Sequence, residues 1–166
     1  MEQPVKILLM GICGYGSNYI KEVSEREIPG IKIEGICEVV PNAADLYPII
    51  HEQNIPIYKT PEEFYQEHTA DLAVISTPIH LHYAQIVTCL THGSNVLTEK
   101  PVCTSVEGAR KLEQLAEKTG KFISVRPGKI VLSRAGVIGN EFFHKDSSVF
   151  CPKRICVPHG CAYTSA

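Results

Sequence analysis

Residues 5–16, VKILLMGICGYG, join a short apolar run to a glycine-rich turn, and a segment of mixed polarity follows as far as Arg26. The apolar run has the length of a buried strand, and the later segment has the length of a helix. The same alternation continues along the chain, with strand-like runs at 31–37, 55–58, 71–76, 95–98 and 122–125 and helical stretches at 43–53, after Thr60, at 79–92 and at 105–119. Short connections between such elements predict an α/β fold, a doubly wound parallel sheet of about six strands with helices on both faces.

Local signals mark where several of these helices begin and end. Thr60 precedes a proline and two glutamates, which is typical of a helix start with a capping hydroxyl. Ser105 is a similar cap, and Gly93 and Gly120 are typical of helix C-termini. Pro48 is expected to bend or break the helix at 43–53.

The composition is that of an ordinary globular protein and disfavours several classes of function. The 166 residues are 44% hydrophobic and 20% charged with a net charge of −2, so nothing points to nucleic acid or to an anionic membrane. No apolar run approaches the roughly 18 residues that a membrane span needs. The first residues lack the pattern of a signal peptide. We expect a cytoplasmic protein whose seven cysteines stay reduced.

The loop Gly11-Ile12-Cys13-Gly14-Tyr15-Gly16 lies between the first predicted strand and the first predicted helix. Free amides at the start of a helix bind anions, and glycine lets the backbone approach a phosphate closely. The G-x-G-x-x-G fingerprint of dinucleotide-binding Rossmann folds is matched at its first and last glycines, whereas Cys13 takes the middle position and a glycine follows it. The loop is therefore a candidate pyrophosphate site. The simpler alternative is a glycine turn that only joins a strand to a helix.

Glu38 ends the second predicted strand, 22 residues after Gly16. The fingerprint has an acidic residue about 20 positions on, which accepts hydrogen bonds from the adenosine ribose hydroxyls. A carboxylate there repels a 2′-phosphate, and the next four residues, VVPN, include no Lys or Arg. The sequence therefore favours NAD over NADP as cofactor and leaves NADP open. The alternative is a plain solvent-facing acid.

The segment STPIHLH, residues 76–82, follows the fourth predicted strand. Its proline opens a helix, and Thr77 with the adjacent backbone is placed to touch a dinucleotide. His80 and His82 are two residues apart on a helix and do not share a face, so a metal-binding pair is disfavoured. We expect one histidine to contact ligand while the other packs or is solvated.

The segment Thr98-Glu99-Lys100-Pro101 follows the fifth predicted strand, at the mouth of the sheet. A lysine there can bind the nicotinamide ribose or a substrate hydroxyl, and its charge would stabilise an alkoxide that develops during hydride transfer. Glu99 would hold Lys100 charged and oriented. The alternative is a surface ion pair that contributes little.

In this order, the four clusters resemble the glucose–fructose oxidoreductase, inositol 2-dehydrogenase and rhizopine-catabolism (Gfo/Idh/MocA) family of NAD(P)-dependent oxidoreductases, from Val5 to Val125. The most specific matches are T-P-x-x-x-H, here Thr77, Pro78 and His82, and E-K-P, here Glu99, Lys100 and Pro101. The segment between them, AQIVTCLTHGSNVLTEKP, follows the family's order of helix, glycine, strand and lysine.

The resemblance implies a role for each matched residue. Gly11, Gly14 and Gly16 would hold the pyrophosphate, and Glu38 would hold the adenosine ribose. Thr77, Pro78 and His82 would line the nicotinamide side. Lys100 would be the catalytic-site lysine, which often precedes a cis proline bond. Substrates of the family are usually sugars, cyclitols or their derivatives, oxidised or reduced at a carbinol carbon.

The composition changes near Arg126. Residues 1–125 hold 10 Lys and Arg against 16 Asp and Glu, whereas residues 126–166 hold 6 against 2 and include three of the seven cysteines. We therefore divide the chain into an NAD(P)-binding Rossmann domain at 1–125 and an atypical, irregular tail at 126–166. In the family this position begins a substrate domain that carries the substrate pocket, the subunit interface and an acid/base histidine.

Three interpretations of the tail compete. It is a truncated product whose tail is read out of frame or across a wrong boundary, a true short variant with a small new module, or a metal knuckle. The knuckle would use Cys151, Cys156 and Cys161 with His144 and His159, although zinc sites prefer closer cysteine pairs. We favour the first interpretation and expect no metal site.

The leading functional hypothesis is an NAD(P)-dependent oxidoreductase of the sugar or cyclitol type, represented by its nucleotide-binding domain. We expect the isolated chain to bind the dinucleotide with little turnover, and a small polyol or sugar to react only where a substrate domain is supplied. Homo-oligomer formation is left open. The alternatives are a non-catalytic dinucleotide sensor or partner subunit and a non-functional truncated product.

Overall fold

A computed structural model describes residues 3–26, 30–126, 149–151, 154–157 and 160–162. Six parallel strands form the main part of its sheet, in the order β3-β2-β1-β4-β5-β6. Their bounds are β1 Val5–Met10, β2 Ile31–Cys37, β3 Ile57–Tyr58, β4 Leu72–Ile75, β5 Asn95–Thr98 and β6 Ile123–Val125. The predicted doubly wound parallel sheet of about six strands is therefore confirmed.

Helices cover both faces of this sheet. They are α1 Ser17–Arg26, α2 Pro48–Glu52, α3 Pro61–Glu67, α4 Ile79–Thr91 and α5 Val106–Thr119. Because side chains alternate along a strand, Ile7 and Leu9 of β1 pack into a core with α1 and α2, whereas Leu8 and Met10 pack into a second core with α3, α4 and α5. Among the described helices, none is long and apolar enough to cross a membrane.

The local signals of the sequence act where they were expected. The predicted helix at 43–53 is broken before Pro48, into a 3-10 helix at Ala43–Leu46 and α2. The hydroxyl of Thr60 accepts a hydrogen bond of 3.2 Å from the Glu63 amide at the start of α3. The hydroxyl of Ser105 accepts one of 3.0 Å from the Gly108 amide at the start of α5. These caps satisfy amides that the helices leave without an internal partner.

The strands end in a single row across the sheet. Met10 pairs with Cys37 on one side and with Ile75 on the other. The pairing continues to Tyr58 beyond Cys37 and to Thr98 and Val125 beyond Ile75. The residue that follows each strand therefore lies at the same edge, in the order Lys59, Glu38, Gly11, Ser76, Glu99 and Arg126. This carboxyl edge is where open α/β sheets bind their ligands.

The tail differs in part from the irregular segment that we predicted. Three short strands, β7 Val149–Cys151, β8 Arg154–Val157 and β9 Gly160–Ala162, extend the sheet beyond β6 with antiparallel pairing. Antiparallel strands need only short connections, so runs separated by two residues can pair as a meander. The backbone of Cys156 lies opposite that of Cys161. His144 and His159 of the hypothetical metal knuckle lie outside the described residues.

Gly16 sets the distance between the first loop and the loop that follows β4. A Cβ at this position would lie 1.6 Å from the carbonyl oxygen of Gly11 and 2.5 Å from the hydroxyl of Ser76. The Ser76 hydroxyl donates hydrogen bonds to the carbonyls of Gly11, at 2.7 Å, and Met10, at 3.1 Å. Only glycine fits here, since both obstructing groups are held in place.

We expect Gly16→Ala to lower the free energy of unfolding by about 3 kcal/mol, at the upper end of what overpacking a dense site costs. Gly120→Ala is the matched control. Gly120 has a φ of +67° with open space around its missing Cβ, so alanine there meets only the backbone cost of about 1 kcal/mol. Urea unfolding followed by circular dichroism measures both, and equal losses would show that close approach at Gly16 contributes nothing.

Candidate functional site

A cavity of about 410 Å³ lies at the carboxyl edge of the sheet, a size that suits a small-molecule ligand. Its walls come from the loops after β1, β2, β3 and β4 and from the start of α4: Gly11, Cys13, Gly14, Cys37, Glu38, Val39, Val40, Lys59, Ser76, Thr77, Pro78, Leu81 and Gln85. A larger cavity of about 580 Å³ lies between α1, β2 and α2, with Lys21, Ile33 and Gln53 among its walls. Because residues from three of the predicted clusters meet at the first cavity, Gly11, Cys13, Gly14, Glu38, Thr77 and Pro78 among them, we take it as the candidate site.

The carboxylate of Glu38 binds the first loop directly. Its Oε2 accepts hydrogen bonds of 2.9 Å from the Ile12 amide and 3.1 Å from the Cys13 amide. Its Oε1 accepts bonds of 2.8 Å and 3.1 Å from the amides of Val39 and Val40, on the exposed side. Burial opposes the charge, but these four hydrogen bonds outweigh burial and lower the pKa of the carboxyl below its ordinary value. Glu38 is therefore an anion fixed at the cavity wall.

The six residues of the first loop divide into three groups. Gly11, Cys13 and Gly14 line the cavity, whereas Ile12 and Gly16 are buried in the packing beneath it. The ring of Tyr15 is 53% exposed. The sequence prediction put all six at a ligand, and the structure brings three of them to the cavity wall.

Cys13 and Gly14 have different backbone requirements. Cys13 is extended, with φ −84° and ψ 153°, which any residue can adopt. Gly14 has a φ of +67°, and nothing lies within 4 Å of the place where a Cβ would be. Burial and the neighbouring Glu38 carboxylate raise the pKa of the Cys13 thiol. The residue in the middle position of the fingerprint is thus a neutral thiol, and the left-handed glycine comes one place later.

Thr77 and Pro78 line the cavity from the loop after β4. The Thr77 hydroxyl donates a hydrogen bond of 2.5 Å to Oε1 of Gln85, one of the cavity-lining residues on α4. This bond fixes the second turn of α4 against the loop. Gln85 was not singled out from the sequence, because glutamines on amphipathic helices are common and carry no signal of their own.

His82 does not line the cavity, contrary to the role that the resemblance implied. Its ring is 1% exposed, with Nε2 2.9 Å from the Thr77 carbonyl oxygen and Nδ1 2.9 Å from the Pro101 carbonyl oxygen. The imidazole therefore bridges the loop after β4 and the loop after β5 from inside the protein. His80 is exposed on the same helix, so one histidine packs and the other is solvated.

Glu99 does not hold Lys100, as we had expected from their adjacency. Its Oε1 accepts a hydrogen bond of 2.5 Å from the Tyr19 hydroxyl and one of 3.2 Å from the Arg126 guanidinium. Adjacent side chains at a strand end point in different directions, and Glu99 turns toward α1. Lys100 is exposed, and the bond between Lys100 and Pro101 is cis, as the resemblance implied.

Arg126 is the centre of a buried group that the sequence did not reveal. Its guanidinium lies 5.1 Å from the ring centroids of both Tyr15 and Tyr19, and the residue is 7% exposed. Burial opposes its charge, but Tyr19, Tyr15 and Glu99 outweigh burial and raise the pKa of Arg126. Burial and the hydrogen bond to Glu99 raise the pKa of Tyr19, so its hydroxyl remains a donor. The group ties α1 to the ends of β5 and β6.

Lys59 is a further residue that sequence reasoning missed. The search for a cation near Glu38 covered only the residues that follow it, and Lys59 lies 21 positions later. The pairing of Cys37 with Tyr58 brings Lys59 to the strand end beside Glu38, and it lines the same cavity. Counting residues past the predicted short strand at 55–58 would have indicated it.

The comparisons with known proteins agree with this geometry. Residues 5–126 match the family model described as an oxidoreductase family with an NAD-binding Rossmann fold. The chain is 27% identical over 128 residues to scyllo-inositol 2-dehydrogenase (NADP(+)) of Bacillus subtilis, covering 73% of this chain and 33% of that protein. It is 27% identical over 123 residues to inositol 2-dehydrogenase of Rhodococcus jostii, covering 70% and 31%. The chain thus spans about one third of the length of these relatives.

A solved structure shares the fold. The dehydrogenase of Chromobacterium violaceum, crystallised with NADH and UDP-GlcNAcA, superposes with a TM-score of 0.66 at 21% sequence identity. The superposition covers 76% of this chain and 36% of that one.

We expect His82→Leu to lower the free energy of unfolding by about 2 kcal/mol, because it removes the buried ring that lies between two carbonyl oxygens and donates a hydrogen bond to at least one of them. His80→Leu, on the exposed side of the same helix, should change it by no more than about 0.5 kcal/mol. Urea unfolding compares the two variants. Equal effects would contradict the bridging role of the His82 ring.

Proposed function

This chain belongs to the Gfo/Idh/MocA oxidoreductase family and carries its NAD-binding Rossmann domain, and we propose that the cavity at the carboxyl edge holds the dinucleotide with Glu38 on the adenosine ribose. The observation that carries the proposal is the fixed Glu38 carboxylate, bound to the amides of Ile12 and Cys13 at the cavity wall. It combines the acidic residue and the glycine loop of the dinucleotide fingerprint in one place.

The residues of the first loop fit a pyrophosphate. Gly14 lines the cavity, and the space that a Cβ would fill is open, so a phosphate can approach its backbone closely. The 3-10 helix Gly14–Gly16 continues into α1, and the first amides of such a helix have no internal acceptor. The amides of Ile12 and Cys13 already bind Glu38. We therefore assign the pyrophosphate to the amides of Gly14 and Tyr15, with Gly11 and Gly16 providing the close packing beneath it.

Glu38 is proposed to receive the two ribose hydroxyls on its exposed oxygen. Oε2 faces the loop amides, whereas Oε1 faces the exposed amides of Val39 and Val40, whose hydrogen bonds can be shared or exchanged. An anion at this place favours NAD, because the 2′-phosphate of NADP adds negative charge beside it.

The nicotinamide side is proposed to lie along Thr77 and Pro78 and to end near Lys100. When bound, the nicotinamide supplies hydride transfer at a carbinol carbon. Lys100 is exposed at the same edge and would bind the reacting hydroxyl oxygen and stabilise its developing negative charge. His82 would act indirectly, since its ring binds the carbonyls of Thr77 and Pro101 on either side of this region.

The substrate class, partners and location are part of the same proposal. Two relatives are named inositol dehydrogenases, which supports a small polyol or sugar as substrate where the rest of the site is supplied. The Rossmann domain would cover residues 1–125, and the atypical tail would cover residues 126–166. Either part could contribute to a homo-oligomer. Cys13, Cys37, Cys89 and Cys103 are free thiols, as the reducing, cytoplasmic compartment that we propose would keep them.

Isothermal calorimetry with NADH tests the proposal. We expect binding by the purified chain and a dissociation constant about tenfold higher for Glu38→Gln, because the amide nitrogen of glutamine cannot accept from a ribose hydroxyl. Glu34→Gln is the matched control. Glu34 lies on β2, four residues before Glu38, but interacts with Lys32 and His68, so the Glu34→Gln variant should bind NADH as tightly as the parent.

The outcomes separate two questions. A folded parent chain that gives no heat with NADH or NAD⁺ at millimolar concentration would overturn the dinucleotide site itself. Binding that Glu38→Gln and Glu34→Gln leave equally unchanged would overturn only the ribose role. Circular dichroism of each variant establishes that it is folded.

A further prediction concerns turnover. We expect the purified chain with NAD⁺ and myo-inositol to form little or no NADH, as followed by NADH absorbance. Oxidation of a hydroxyl needs an acceptor for its proton, and in the described part of the cavity wall no histidine is present. Turnover that Lys100→Met abolishes would show instead that this chain is a complete catalyst.

A further inference from the structure

We infer that Lys59 is a specificity-determining residue that lets this site accept the 2′-phosphate of NADP(H) beside the carboxylate of Glu38. The inference rests on the proposed dinucleotide site and deepens it. Its first support is position: Tyr58 pairs with Cys37, so Lys59 and Glu38 are the residues immediately beyond two adjacent parallel strands. Such strands lie about 4.8 Å apart, which places the two residues side by side.

The cavity provides the second support. Lys59 is exposed and lines the cavity together with Glu38, Val39 and Val40. Among the described residues of this cavity wall, Lys59 is the one basic side chain. Within the described part of the chain, its ammonium group forms no ion pair. Its backbone amide is fixed, since it donates a hydrogen bond of 2.9 Å to the Glu63 carboxylate. The side chain is thus anchored at its base, on the wall where the ribose is proposed to lie.

The orientation of Glu38 is the third support. Both of its oxygens accept hydrogen bonds from backbone amides, and one of them is directed at the first loop. The amides offset part of the negative charge, so a neighbouring lysine can compensate the remaining repulsion of a phosphate. Without Lys59, Glu38 would face the 2′-phosphate alone. The pair therefore predicts a site that binds both cofactors rather than one that excludes NADP(H).

The test uses NADH and NADPH, which differ only in the 2′-phosphate, with calorimetric dissociation constants for the parent chain and for Lys59→Met, Lys59→Arg and Lys118→Met. We expect the parent to bind NADPH within about tenfold of NADH. Lys59→Met should weaken NADPH binding about fivefold and change NADH binding less than about twofold, because only the phosphate loses a charge partner. Lys59→Arg should retain NADPH binding. Lys118→Met, on the exposed last turn of α5, controls for net charge and should change neither.

Ionic strength provides a second readout. The selective loss in Lys59→Met should shrink as salt is raised, since an exposed charge pair is screened. Equal weakening of both cofactors by Lys59→Met, no weakening of either, or a parent chain that binds NADH but excludes NADPH would each overturn the inference. A folded parent that binds neither dinucleotide would instead overturn the proposed function on which the inference rests.

Discussion

The amides of Ile12 and Cys13 lie where β1 has ended and the next helix has not begun, so regular structure gives them no acceptor. The carboxylate of Glu38 supplies it from the neighbouring strand. This contact fixes the first loop against the end of β2, and Gly14, the next residue, lines the cavity. It also holds a negative charge at one point of the wall. The positions of the proposed pyrophosphate and ribose sites follow from this single arrangement.

The loops around the cavity are also held in place by buried side chains that do not line it. The ring of His82 bridges the carbonyls of Thr77 and Pro101, and Glu99 joins Tyr19 to Arg126 across the ends of α1, β5 and β6. Neither group lines the cavity. Both make the loops more rigid. Surface residues such as Lys100 therefore project from loops whose buried polar groups already have hydrogen-bond partners. Polar side chains near a ligand site can thus hold its loops in position without contacting the ligand.

The fold could be predicted because its signals are local. The apolar run of β1, the glycines after it, the break at Pro48 and the cap at Thr60 each depend on a few neighbouring residues. The same holds for Glu38, which is found at a known spacing from the first loop. Contacts between distant residues were beyond such reasoning. Lys59 reaches Glu38 only through the pairing of β2 with β3, and Glu99 reaches Arg126 only through that of β5 with β6. The direction in which His82 points depends on how α4 is rotated, which periodicity alone does not settle.

The extended backbone of Cys13 and the left-handed backbone of Gly14 have a consequence for detecting such domains. In this loop glycine is required at Gly14, one place later than in the usual signature. The middle position of that signature is taken by Cys13, whose backbone accommodates a side chain. A search pattern that insists on three glycines at fixed intervals would pass over this nucleotide fold. One that asks for a tight turn, a small residue against the following helix and an acid at the end of the next strand would retrieve it.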